Sequence, residues 1–501
     1  VYNWVVEHDD GDISEYELHA DERRQMTTTG RMCVGPNCKH WNPCYANRAR
    51  NAARQADVLV VNHNLLSLEM THGDAEGDHS DAYGVEVVIV DEAHRFPNIA
   101  CESLGLTVSR QRLDEFCENL EYAEKTVDLD FEVAHSITKS VSDATDQLDQ
   151  KMGVDLSQWS LEQFQNRQDL VARYWNIVSA LDKAVQNLEP YIDSSPEIEK
   201  CRDLALGISE DAKTILERDN VEVASWVEKT KQGFSFHRLP LEPRSAFGPA
   251  ISNFDGSWIF TSASMAVGDD FSHFEHSMGL SESIHQRWDS PFDFENQALV
   301  YFPPNMPLPN YQSREEFDRR VVEVVEQLVP ISKGRMLVLF TTIASMKAAK
   351  EYLAKRIGYR LLCQYDRPNT RLLEEFKRDG NAVLLGTMGF WEGIDIKGDE
   401  LSCVVIDKLP FAPFDNPKAN ARRNLMAESG RNFFNDWQVP SAVLTLKQGS
   451  GRLIRDISDR GVLVLCDPRI YQKSYGKAFL DSLPPMPRSE SLAKVDQFFS
   501  T

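Results

Sequence analysis

The run Val87-Val88-Ile89-Val90-Asp91-Glu92-Ala93-His94 decides how the rest of the chain is read. Four consecutive β-branched residues suit a strand buried on both faces, as in a parallel sheet. The strand ends in two adjacent carboxylates, and parallel α/β sheets bind ligands beyond the carboxyl ends of their strands. Asp91 is placed there to hold Mg2+, and Glu92 to polarise a water that attacks a γ-phosphate. A plainer reading is a strand followed by a helix whose first turn carries acids that favour the dipole.

A second stretch, Gln448-Gly449-Ser450-Gly451-Arg452-Leu453-Ile454-Arg455, precedes the apolar run Gly461 to Leu465. Arginines three apart share one face if the segment is helical, and two guanidinium groups there can neutralise a transferring phosphoryl group. The plain alternative is a solvated basic face. The neighbouring glycines favour close approach to a ligand. Val58 to Val61, Trp258 to Phe260, Met336 to Phe340, Ala382 to Leu385 and Cys403 to Ile406 are further short apolar runs, spaced as in a parallel sheet. Between them, residues 106–245 change character. Val171, Tyr174, Trp175, Val178, Leu181, Val185 and Leu188 recur at helical steps in a zone poor in strand signals, which reads as a helical insertion. The Pro-rich stretch Tyr301 to Pro309 reads as a linker.

The chain's 501 residues, 42% of them hydrophobic, support two to four domains. No apolar run is long enough to span a membrane, and no signal peptide is visible. The opening at Val1, without Met, suggests a piece of a longer protein. A net charge of −23 weighs against a polyanionic partner. However, residues 111–245 hold 15 Lys/Arg against 27 Asp/Glu, so over half of that charge is local. Lys39, Arg48, Arg50 and Arg54 form one basic cluster, and Lys418, Arg422, Arg423 and Arg431 another. The nine cysteines are odd in number and lack a disulfide framework, which suits a reducing cytoplasm. Cys33, Cys38 and Cys44 stand apart as C-x4-C-x5-C, a trio that spacing assigns either to an iron–sulfur cluster or, with His40, to zinc.

In this order, these segments resemble the motifs of superfamily 2 helicases. Phe260-Thr261-Ser262-Ala263-Ser264 resembles motif III, and Gly386-Thr387-Met388-Gly389-Phe390-Trp391-Glu392-Gly393-Ile394-Asp395 resembles motif V. The cysteine trio followed by Ala56 to His63 is similar to the iron–sulfur helicases of the XPD/DinG branch. Asp407-Lys408-Leu409-Pro410-Phe411 and Ser482-Leu483-Pro484-Pro485 bring the DinG/YoaA group nearest. The resemblance implies an α/β fold with two RecA-like parallel-sheet motor domains, the first incomplete, plus an Fe–S insertion and a helical arch. Residues 1–50 would be a partial cluster region, 51–105 and 246–289 the first motor domain, 106–245 the arch, and 290–501 the second motor domain.

It further implies an ATP-dependent 5′→3′ DNA helicase of repair and replication in a bacterial cytoplasm, acting on single-stranded and on forked or gapped DNA. A replication-machinery subunit is the implied protein partner. ATP, Mg2+ and a [4Fe–4S] cluster would be the cofactors. Cys33, Cys38 and Cys44 would ligate the cluster, with the fourth Cys missing upstream, and Asp91 would hold Mg2+. Glu92 would handle the water, His94 and Gln448 would relay nucleotide state, and Arg452 and Arg455 would reach the phosphates. Gly393, Asp395 and Gly451 would help to bind the nucleotide. Trp41, Arg48, Arg50, Thr261, Phe390 and Trp391 are candidate DNA contacts. For Phe390 and Trp391 a core role stays open, and for Trp41 a role covering the cluster. No G-x-x-x-x-G-K-[ST] occurs among the 501 residues. The expectation is that roughly the first hundred residues of a family member are absent, and that this chain hydrolyses ATP poorly. Three rival readings are a non-motor nucleic-acid-binding protein on the same scaffold, a redox- or metal-sensing module, and an RNA helicase sharing the Asp-Glu-Ala-His box, against which the cysteine trio argues.

Overall fold

The computed structural model describes residues 11, 13, 26–72, 85–126, 131–153, 157–217, 222–266, 269–280, 282–310, 312–387, 390, 396, 400–413 and 416–500. It divides into two compact units: Val1–Val90, Arg95–Ile259 and Asp415–Leu425 form the first, and Asp91–His94, Phe260–Phe414 and Met426–Thr501 the second.

The first unit holds β1 (Val87–Val90), β2 (Leu106–Ser109), β3 (Ser157–Ser160), β4 (Val223–Thr230) and β5 (Gly233–Pro240), and most of β6 (Ser257–Phe260). β1 and β6 are neighbours in a two-stranded sheet. The run Val58 to Val61 is not a strand, and Val58 and Val60 are 80% and 90% exposed. Branched side chains favour an extended backbone, but a strand also needs a ladder partner, and among the described residues this run has none.

The interval read as purely helical contains a four-stranded antiparallel sheet, ordered β2-β5-β4-β3. Val108, Phe236, Val227 and Trp159 form one row across it and face a core shared with the helices Arg110–Thr126, Phe131–Met152, Gln168–Leu188 and Pro196–Ile215. The next row, Thr107, His237, Trp226 and Ser160, points the other way, as the two-residue period of a strand requires. The helix Gln168–Leu188 forms where its periodicity placed it. Tyr174, Val178, Leu181 and Leu188 are buried, while Trp175 lies on the outer face. Tyr174 keeps its polar end satisfied by donating to the Ala212 carbonyl at 2.9 Å.

The second unit is built on β7 (Ala298–Tyr301), β8 (Met336–Leu339), β9 (Leu361–Cys363), β10 (Val383–Gly386), β11 (Cys403–Ile406), β12 (Gly461–Leu465) and β13 (Arg488–Ser489). All are parallel, in the order β13-β7-β12-β11-β8-β10-β9. Every residue of β8, β10, β11 and β12 is buried, because helices cover both faces. That is why these strands read as unbroken apolar runs. Alternate residues feed two cores: Leu337, Leu384, Val404 and Leu463 on one face, Val338, Leu385, Val405 and Val464 on the other. Of the six cysteines outside the trio, five are buried and Cys117 is half-buried. Burial pushes the Cys403 thiol up to about 12, which leaves it an inert apolar side chain.

Candidate functional site

The backbone leaves β1 through Asp91 into a left-handed residue, Glu92, at φ 48°. A non-glycine residue in that region is strained, and such strain concentrates where function fixes a side chain. Asp91 Oδ1 accepts the Glu92 N–H at 2.9 Å and the Thr261 hydroxyl at 2.9 Å. The Ala93 N–H donates to the Thr261 carbonyl at 2.9 Å, so the segment after β1 is tied to the segment after β6.

Ser262 continues the connection. Its hydroxyl donates to Glu92 Oε2 at 3.4 Å, accepts from the Ser264 N–H at 3.1 Å and lies 2.7 Å from His94 Nδ1. With the serine proton on the glutamate, Nδ1 must carry hydrogen and donate. His94 Nδ1 is also 3.3 Å from Glu92 Oε2. The buried Ser264 in turn accepts from Gln448 Nε2 at 3.2 Å. Glu92, His94, Ser262, Ser264 and Gln448 therefore form one hydrogen-bonded line within the second unit. Sequence reasoning named Glu92, His94 and Gln448 but not the two serines, although both lie in the quoted motif.

The arginine pair differs from expectation. The helix Val439–Ser450 stops before Arg452, so Arg452 and Arg455 lie on an irregular turn and not on a helix face. Leu453 and Ile454 between them are buried in the core, which draws the turn inward. Asp459 accepts the Arg455 and Asp456 N–H groups at 2.8 and 2.9 Å, and Gln297 Nε2 caps three carbonyls of the same turn. Gly451 sits at an ordinary φ of −65°, which any residue can adopt.

Beyond the parallel strands a second polar group collects. After β11, buried Asp407 accepts the Thr341 and Lys408 N–H groups at 3.0 and 2.6 Å, and Lys408 Nζ lies 3.3 Å away. Burial pushes the Asp407 carboxyl up to about 6, against the pull of Lys408 and these donors. A carboxyl whose folded pKa is raised stabilises the fold only while protonated. That contribution is complete below the unfolded value of 3.8 and is lost as pH rises through about 6. The urea midpoint of the wild type, measured against Asp407→Asn, should therefore fall between about pH 4 and pH 6. A constant difference over that range would contradict the raised value. After β9, buried Gln364 accepts both the N–H (2.7 Å) and the hydroxyl (2.8 Å) of Thr387, which follows β10.

The remaining candidates divide. Phe390 is 1% exposed and belongs to the core of the parallel sheet, the role that competed with DNA contact. Trp391, Gly393 and Asp395 lie outside the described residues. Arg48 and Arg50 are exposed on the helix Tyr45–Ala53, with Arg48 5.4 Å from the Tyr45 ring centroid. Trp41 is half-buried, and its carbonyl accepts from Asn47 Nδ2 at 3.0 Å.

Residues 325–486 match the helicase C-terminal domain family. The ATP-dependent DNA helicase YoaA of Haemophilus influenzae is 34% identical over 99% of this chain and 78% of its own length. The chain belongs to the DinG/YoaA branch of superfamily 2 helicases. YoaA of Escherichia coli is 31% identical with the same coverage. A solved XPD helicase superposes with a TM-score of 0.57 at 15% identity, over 89% of this chain and 75% of its own, which shows a shared RecA-like α/β fold.

The iron–sulfur cluster implied for this branch is corrected by the geometry. Among the described residues, no three His, Cys, Asp or Glu side chains gather into a group that could hold a metal ion. Cys33 and Cys38 each end a short 3-10 turn, and Cys44 precedes the helix Tyr45–Ala53. Cys38 Sγ accepts the His40 N–H at 3.4 Å. Closeness along the chain does not aim the thiols at one point, so the expected [4Fe–4S] site is overturned, and zinc with His40 falls with it. At Asp91, the residue expected to hold Mg2+, Oδ1 accepts from the Thr261 hydroxyl and the Glu92 N–H. Among the described residues, no helix is long and apolar enough to cross a membrane.

Proposed function

We propose that this chain forms the working part of an ATP-dependent DNA motor that moves 5′→3′ along a single strand, with Glu92 orienting the water that attacks the γ-phosphate. Arg452 and Arg455 then offset the charge that develops on the transferring phosphoryl group. Residues 51–105 with 246–289, and residues 290–501, act as the two motor domains, and residues 106–245 as the arch. The observation that carries this reading is the line from Glu92 through Ser262 and Ser264 to Gln448. A change at the acid, such as arrival or loss of a phosphate, alters what Ser262 can donate to. That change then reaches Gln448 in the helix Val439–Ser450, four residues before Arg452.

In a version of the chain carrying the family's phosphate-binding loop, Glu92→Gln should lower hydrolysis about 10²–10⁴-fold, the usual loss when a proton-handling group is removed. Single-strand affinity should not change. Wild-type hydrolysis in that variant would remove Glu92 from the chemistry. The competing reading, a nucleic-acid-binding protein without a motor, draws on the absence of G-x-x-x-x-G-K-[ST] from the 501 residues. It requires that the loop-bearing version also fail to hydrolyse ATP.

A further inference from the structure

Residues 343–380 hold nine Lys/Arg and five Asp/Glu, a positive segment in a chain of net charge −23. They comprise the helix Ile343–Leu353, β9 and the helix Asn369–Asp379, and β9 is the edge strand of the seven-stranded sheet. Between the first helix and the end of β9 lies a cavity of about 610 Å³. Lys347, Lys350, Glu351, Lys355, Gln364, Tyr365 and Asp366 line it, three ammonium groups against two carboxylates. Asp366 holds Lys350 at 2.6 Å. Lys347 and Lys355 are exposed, and among the described residues neither has a carboxylate within ion-pair distance.

Tyr365 is the unusual member. It takes a φ of 73° although it is not glycine, and its side chain is 60% exposed. Both backbone preference and the hydrophobic effect oppose holding a large ring this way. The preceding residue fixes it: Gln364 is buried and accepts two hydrogen bonds from Thr387 at the end of β10. The ring is thus carried on a rigid strand end, beside ammonium groups, at the side of the sheet where Thr387 lies in the stretch that resembles motif V.

We propose that this groove is a binding subsite for one strand of nucleic acid, with Lys347 and Lys355 contacting phosphates and the Tyr365 ring stacking on an unpaired base. A basic groove with an exposed aromatic is the chemistry that sequence-tolerant single-strand sites use. A duplex keeps its bases stacked on one another and offers the ring no face. The inference rests on the nucleic-acid motor reading above and adds a place and a geometry to it.

The test is fluorescence anisotropy of a labelled oligothymidylate titrated with the full chain over a salt series. Lys347→Gln with Lys355→Gln should flatten the slope of log K against log salt by about 1.4, at about 0.7 per phosphate contact on a single strand. Tyr365→Gly should weaken binding about tenfold, within the range for loss of one stacked base. The same variant should not lower the thermal midpoint, because glycine adopts this φ without strain. Tyr365→Phe should bind as the wild type does. Unchanged affinity and slope in the variants, with the wild type binding normally, would overturn the subsite alone. Equal losses on duplex DNA would overturn the single-strand assignment. Failure of the wild type to bind any single strand would instead bring down the motor reading, and the subsite with it.

Discussion

Incubated with ATP and single-stranded DNA, the 501-residue chain is expected to release phosphate no faster than the background rate. The loop G-x-x-x-x-G-K-[ST] wraps nucleotide phosphates in backbone N–H groups and brings a Lys to them, and no such stretch occurs in this sequence. Asp91, Glu92 and the arginine turn can act on a triphosphate only if something else holds it in place. Positioning and electrostatic stabilisation carry nearly all of phosphoryl-transfer catalysis. Supplying the loop in cis should therefore restore turnover to the range of about 1–10³ s⁻¹ common among enzymes. A coupled phosphate-release assay on both forms decides the matter. Rapid turnover by the 501 residues alone would show that the phosphates are held by groups other than those described above.

The second large effect concerns stability. Arg422 and Glu242 are both nearly buried, with side chains 8% and 10% exposed and 3.5 Å between them, and Arg422 also donates to the Leu241 carbonyl. This contact fastens the segment Asp415–Leu425 into the first unit, although the sequence on both sides of it belongs to the second. Burial also draws the pKa of Lys418, one turn earlier, below its usual value. Arg422→Met leaves the Glu242 carboxylate buried and should cost about 3 kcal/mol, the lower end for breaking a buried ion pair. Arg244 Nε, 3.2 Å from the other Glu242 oxygen, offsets part of the loss. The double variant Arg422→Met/Glu242→Leu should recover much of it, because neither charge is then stranded. Urea unfolding of the wild type and these two variants checks this, and an Arg422→Met variant within about 0.5 kcal/mol of wild type, the reach of ordinary surface changes, would contradict it.

Which features were legible in the sequence follows from how local their causes are. β8, β10, β11 and β12 could be read because burial on both faces makes every residue apolar. The acids after β1 could be read because a strand end followed by charge is a local pattern. Val58 to Val61 carried the same local pattern, yet a strand depends on what lies beside it. The sheet β2-β5-β4-β3 escaped notice because its Trp226–His237 row is half polar and its strands are scattered over 135 residues (Leu106 to Pro240) among long helices. Phe234-Ser235-Phe236 alternates, but three residues are too few to outweigh that context. Arginines three apart suit a helix face, but Gly449 and Gly451, poor helix formers, stand just before them, and the helix ends at Ser450. The cysteine trio shows the same limit: spacing along a chain does not state where thiols point. Asp407 with Thr341, and Gln364 with Thr387, are long-range pairs that only the strand order brings together.

At the centre of the account is the claim that Glu92 and the turn carrying Arg452 and Arg455 serve one triphosphate through the Ser262–Ser264–Gln448 line. A double-mutant cycle on kcat in the loop-bearing chain tests it most directly, with Glu92→Gln, Arg455→Ala and the pair together. Groups that act as a unit are strongly non-additive, so the double variant should be no slower than the slower single one. Losses that multiply, or an Arg455→Ala enzyme that turns over at the wild-type rate, would show that the acids and the arginines do not work on the same phosphate.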